Sequence, residues 1–168
     1  MITSLGRMTP SSVLIALGSN RGDRLRWLRA GVDALRSVID VVRISSVYET
    51  EPVDAAAGSP PFLNLVVAGS TTRTAEQLLA KLHAIEQRLG RTRGVRNAPR
   101  TLDLDLILHS AHVARTRDLT LPHPRFRERE FVLAPARELN LRWRDPQTNR
   151  AIGELRGTGH VVRIAGLW

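Results

Sequence analysis

Apolar positions along this chain switch between two periods, and the switches mark its elements. Val13-Leu14-Ile15-Ala16-Leu17 is continuously apolar and stops at Gly18-Ser19-Asn20, which predicts a buried strand and a turn. Leu25, Leu28, Val32 and Leu35 then fall on one helical face, with Asp23 placed to cap the first turn. Val41 to Tyr48 is rich in β-branched residues and reads as a second strand. Residues 54–61, Asp-Ala-Ala-Ala-Gly-Ser-Pro-Pro, read as a loop, and Phe62 to Ala68 as a third strand. Thr74 with Gln77 has capping-box spacing, and Leu78, Leu82, Ile85 and Leu89 share a face until Gly90 ends the helix. An arginine- and glycine-containing loop runs to Pro99, and Thr101 to Leu108 is a fourth strand.

The order β-α-β-β-α-β predicts an α+β fold, a ferredoxin-like core in which helices pack on an antiparallel sheet. Beyond residue 109, a proline-punctuated loop, a short helix near Glu130–Glu138 and a weakly patterned tail make a C-terminal extension. Residues 1–12 are read as an N-terminal extension and residues 13–168 as a single domain, long enough to bury one core. Met8, just ahead of the first strand, is a second candidate start.

Composition narrows the setting. A 42% hydrophobic content is that of a globular chain, and the longest apolar runs are too short to span a bilayer. The absence of cysteine excludes disulfides and thiolate metal sites and is compatible with a reducing cytoplasm, the expected location. Met1 to Ser12 lacks the pattern of a signal peptide. The net charge is +9, and Lys81 is the only lysine among 25 cationic side chains. Arginines gather in two clusters, Arg88 to Arg100 and Arg125 to Arg129, and guanidinium forks suit phosphate oxygens. A basic ferredoxin-like chain could instead bind RNA, and that alternative stands at this point.

Leu102-Asp103-Leu104-Asp105-Leu106-Ile107-Leu108 carries the most chemistry. Alternation along a strand puts Leu102, Leu104, Leu106 and Leu108 on one face and Asp103 and Asp105 on the other. Two carboxylates about 6.5–7 Å apart along a strand can hold a pair of magnesium ions bridged by phosphate. The bland alternative is an amphipathic strand whose polar face meets water. Arg91, Arg93, Arg96 and Arg100, just upstream, favour a nucleotide triphosphate beside the carboxylates. Neither a Walker A sequence nor a kinase glycine-rich loop is present.

Five segments in order complete the constellation: Ala16-Leu17-Gly18-Ser19-Asn20; Ser46 to Val53; Phe62-Leu63-Asn64; Pro99 to Asp105; and Leu121-Pro122-His123-Pro124 followed by Arg129-Glu130-Phe131-Val132-Leu133. From about residue 13 to residue 138 the chain resembles the 6-hydroxymethyl-7,8-dihydropterin pyrophosphokinases. The resemblance implies transfer of diphosphate from Mg-ATP to the pterin hydroxymethyl group in folate biosynthesis, giving the pterin diphosphate and AMP. It implies Asp103 and Asp105 as ligands of two magnesium ions, and Arg91, Arg93 and Arg100 as catalytic cations. Glu86, Arg91, Arg93, Arg100, His123 and Arg129 match ATP-side positions, while Thr50, Val53, Phe62, Asn64 and Phe131 match the pterin pocket. Phe62 and Phe131 would sandwich the ring and Asn64 would meet its polar edge. Asn97 stands where many members carry a tryptophan, and Gly94 where some carry a lysine. The expected partners are ATP and hydroxymethyldihydropterin alone, without nucleic acid or membrane, and the expected state is a monomer. An RNA-binding protein and a catalytically inactive homologue remain the alternatives.

Overall fold

A computed structural model describes residues 9–51, 58, 60–91 and 100–168. Strand β1 (Ser11–Ser19) starts two residues before its apolar run and pairs antiparallel with β4 (Phe62–Thr71) on one side and β5 (Asp103–His109) on the other. β2 (Asp40–Ile44) and β3 (Val47–Thr50) both pair with β4, and β8 (Val161–Ala165) adds to the far edge of β3. The path β5-β1-β4-β3-β8, with β2 also on β4, is the expected ferredoxin-like order with one strand added from the C-terminal tail. A small hairpin, β6 (Ala114–Arg115) with β7 (Thr120–Leu121), stands apart.

The helices follow local chemistry closely. In α1 (Arg24–Leu35), the Asp23 carboxylate accepts from the Arg26 N–H at 3.1 Å. In α2 (Ala75–Arg88), Thr74 and Gln77 form the reciprocal box, and Gly90, at φ 86°, takes the left-handed turn beyond the helix end. Both pack their apolar stripes on one sheet face against Val13, Ile15 and Leu17. The opposite face is covered by α3 (Glu130–Glu138), whose Val132, Leu133 and Ala136 bury Leu14, Ala16, Val66 and Ala68.

Two expectations are corrected. The second strand, read as Val41 to Tyr48, is interrupted at Ser45–Ser46. There the Ser45 hydroxyl accepts from the Val66 N–H at 3.0 Å, while the Ser46 N–H donates to Glu138. The Ser45 N–H still donates to the Val66 carbonyl at 3.0 Å, so side chains take over only the other half of the ladder at that step. Leu108 does not share the face of Leu102, Leu104 and Leu106. Leu14 pairs with Leu108 but Ile15 with Leu106, so Ile107 is an extra residue in β5 and the bulge turns Leu108 into the α3 cluster. Val53, Arg93, Arg96, Gly94, Asn97 and most of the loop 54–61 lie outside the described residues.

Candidate active site

On the α3 side, the side chains of β1 shrink along the strand: Leu14, Ala16, then Gly18. The strands alongside supply polar groups where β1 supplies none. Gly18 is in register with Asn64 on β4 and Asp103 on β5, and Ala16 with Asp105. The space so opened is a cleft of about 670 Å³. A Cβ added at Gly18 would lie 3.0 Å from Asn64 Oδ1 and 3.5 Å from Phe62 Cδ1, so glycine is what lets both side chains reach the floor.

One half of the cleft is ionic. Asp103 pairs with Arg91 at 2.9 Å and with Arg100 at 2.7 Å. Asp105 pairs with Arg129 at 3.1 Å, and His123 Nε2 stands 3.8 Å from the same oxygen. Burial pushes the Asp105 carboxyl up, as does the charge of Asp103, against the pull of His123, Arg129 and Arg100. Burial pushes His123 down, favouring a neutral imidazole. Glu86 lies behind this wall, on α2, where its carboxylate pairs with Arg91 and accepts from the Leu104 N–H at 2.7 Å. Burial raises it to about 7 despite those partners.

The other half is aromatic and amide. Phe62 and Phe131 are half-buried and line the same cleft as Asn64 and Thr50. The Asn64 amide donates to the Thr50 hydroxyl at 2.8 Å, which leaves its carbonyl oxygen on the Gly18 side. The Arg129 guanidinium lies 5.5 Å from the centre of the Phe131 ring, so one residue touches both halves.

The family model described as 7,8-dihydro-6-hydroxymethylpterin-pyrophosphokinase matches residues 14–141. This chain belongs to that family. A 2-amino-4-hydroxy-6-hydroxymethyldihydropteridine pyrophosphokinase of Bacillus subtilis (strain 168) is 46% identical over 127 residues, 74% of this chain and 75% of that protein. The protein of the same name from Aquifex aeolicus (strain VF5) is 32% identical over 129 residues, 77% of this chain and 80% of that protein. A wild-type HPPK-DHPS crystal structure from Plasmodium falciparum superposes with a TM-score of 0.69 at 12% identity, over 88% of this chain and 44% of that one. That likeness shows the fold.

The activity of the family's pyrophosphokinases is therefore that of this chain: diphosphate passes from ATP to the hydroxymethyl group of 6-hydroxymethyl-7,8-dihydropterin, in folate biosynthesis. An RNA-binding module of this fold would need an open sheet face. Here α3 covers Leu14, Ala16, Val66 and Ala68 on the face that α1 and α2 leave, and the cleft occupies the part beside it. Among the described residues, no helix is long and apolar enough to cross a membrane.

Of the residues singled out for this pyrophosphokinase, Thr50, Phe62, Asn64, Arg91, Arg100, Asp103, Asp105, His123, Arg129 and Phe131 all line the one cleft. Glu86 is placed to hold Arg91 rather than to line it. Sequence reasoning missed Leu79, His83, Arg117, Leu119 and Thr158, which also line it. Leu79 and His83 are four apart on α2, beside the core stripe of Leu78 and Leu82, and that second stripe was the available signal. Asn20 is a joint: its N–H donates to the Arg100 carbonyl at 3.1 Å, and its side-chain oxygen accepts from the Arg100 N–H at 2.8 Å.

Proposed function

We propose that the ionic half of the cleft binds Mg-ATP and the aromatic half binds the pterin. In this reading Arg91, Arg100, Arg129 and His123 take the triphosphate, and Phe62 and Phe131 flank a ring whose polar edge meets Asn64 and Thr50. The observation that carries it is the placement of Asp103 and Asp105, side by side with four basic groups in a cleft that is also lined by a buried amide and two aromatic side chains. A flat heteroaromatic with an ionic tail fits such a cleft.

The donor set also fits magnesium. Among the described residues no cage of three or more acidic, His or Cys side chains forms. Magnesium accompanying a nucleotide needs only one or two carboxylates, the rest of its shell being phosphate and water. Asp103 and Asp105 would hold it, two ions being expected, and bound magnesium would neutralise phosphate charge during transfer. The pairs that Arg91, Arg100 and Arg129 make with these carboxylates are only a fifth to a third exposed, so parting one is costly unless another charge takes the vacated place, as magnesium and phosphate would. The arginines can therefore leave the aspartates for phosphate oxygens as the nucleotide enters.

Transfer then depends on alignment. The hydroxymethyl oxygen bonds to the β-phosphorus as that phosphorus separates from its bridge to the α-phosphate. AMP leaves and the hydroxyl proton is released. Arg91 and Arg100 hold charge that grows along that line, and Asn64 fixes the ring that carries the nucleophile.

The first prediction tests this assignment. Asp103→Asn and Asp105→Asn should each lower kcat by about a hundredfold or more, with circular dichroism unchanged, because a lost ligand removes stabilisation made mainly in the transition state. AMP release is measured with and without hydroxymethyldihydropterin. Near-normal turnover of either variant at saturating magnesium would overturn the metal assignment, and AMP release indifferent to the pterin would overturn the substrate assignment.

A further inference from the structure

Helix α3 delivers Arg129 and Phe131 into the cleft, yet it starts without a side-chain cap. Its first N–H groups have no partner within the helix and need one elsewhere. A segment far along the chain supplies it. The Glu130 N–H donates to the Thr158 carbonyl at 3.2 Å, and the Thr158 N–H donates to the Glu128 carbonyl at 2.8 Å, making a parallel bridge across Arg129. The Thr158 hydroxyl adds a bond to the same Glu128 oxygen at 3.2 Å. Next to it, the Gly157 N–H donates to the Glu130 carboxylate at 2.8 Å. That carboxylate is paired with Arg137, which donates in turn to the Leu155 carbonyl at 3.0 Å.

The contact is close because residue 157 has no side chain. A Cβ there would lie 2.6 Å from Glu130 N and 2.8 Å from the carbonyl carbons of Arg129 and Glu128. These are backbone atoms, so nothing can rotate away; the bridge must open or the start of α3 must move. Gly157 and Thr158 also lie beyond residues 14–141, the part matched by the family model. The motifs that carry the chemistry thus depend on a segment outside them.

We propose that Gly157 and Thr158 are positioning residues for diphosphate transfer, a brace that sets the backbone of Arg129 and through it the guanidinium between Asp105 and Phe131. The inference rests on the reading of Arg129 as a nucleotide-side cation. The hydrogen bonds of the brace run to the backbone of Glu128 and Glu130 and to the Glu130 carboxylate, on either side of Arg129, so it acts on that residue through its backbone.

The test is a double-mutant cycle in the full chain: G157A and R129A, singly and together, with G153A as control. A methyl group at Gly153 meets nothing within 4 Å. The readouts are kcat and KM for ATP from AMP formation in the presence of the pterin. G157A should lower kcat/KM by about tenfold to a hundredfold, the scale of a small misplacement at a reacting centre, and G153A should leave it unchanged. In the R129A background, G157A should cost less than about threefold, since its target is gone. A folding defect would lower activity by the same factor in both backgrounds. If G157A does not fold, T158G, which loosens the bridge without adding an atom, enters the same cycle with the same expected pattern. Equal losses in both backgrounds, or no loss at all, overturn the brace while leaving Arg129 in the site. Wild-type turnover of R129A overturns the site reading, and the brace with it.

Discussion

At Gly18 the missing side chain is what shapes the pterin end of the cleft. Gly18→Ala would press a methyl group on the Asn64 carbonyl, 3.0 Å away, and push the amide off Thr50. The expected result is pterin binding weaker by roughly 1–2 kcal/mol, the scale of one buried hydrogen bond lost, with ATP affinity nearly unchanged. Calorimetric titration with each ligand checks it; equal losses for both would show a general distortion instead. Asp103 and Asp105 were legible because carboxylates are rare on a strand, while Asn64, His123, Phe62 and Phe131 were picked out by the family resemblance. The reason for Gly18 was not legible, since it lies in a cross-strand register with a residue 46 positions away. The Glu130–Gly157 contact was hidden for the same reason. Nothing local marks it.

Elements divide along the same line. The helices were legible to their caps, because Asp23 with Arg26, and Thr74 with Gln77, meet within a single turn. The interruption between β2 and β3 was not legible, because it is made by partners on β4 and α3. There Ser45 acts as part of the ladder, its hydroxyl standing in for a backbone carbonyl toward Val66. Ser45→Ala would leave the buried Val66 N–H without that acceptor. The expected loss of unfolding free energy is about 1–3 kcal/mol, the penalty for a buried donor left unmatched. Urea denaturation with an unchanged m-value reads it. A loss well below this would mean that the strand closes over the break by itself. Glu138 holds the α3 side of the same break, accepting from Ser46 and from the Tyr48 hydroxyl at 3.0 Å.

For the whole molecule, the order of strands and helices was enough to predict the sheet, while the tail was too weakly patterned to announce β8 or the turn that ties the tail to Arg127. That turn centres on Asp145, fully buried, which accepts two bonds from Arg127 at 2.6 Å and others from Thr148 and Gln147. Burial pushes its carboxyl up, but the Arg127 guanidinium, the Thr148 hydroxyl and the Gln147 N–H outweigh it and hold it at about 2. Below its ordinary value of 3.8, the unfolded chain takes up a proton before the folded one does. Stability from this group is therefore complete above that pH and is lost as pH falls toward 2, by roughly 2 kcal/mol in all. Asp145→Asn should start from lower stability yet show a shallower decline across that window, measured by denaturation at stepped pH; parallel declines would count against the assignment. The sheet itself has a consequence in time. Gly18 on β1 and Asn64 on β4 are each paired on both sides, so their backbone hydrogen bonds open only when the sheet separates, whereas Asp103 hangs from the edge strand β5. Amide protons along β1 and β4 should outlast those of the edge strands in heavy water, with or without ligand. The floor of the cleft at Gly18 and Asn64 would then be among the slowest parts of the protein to exchange.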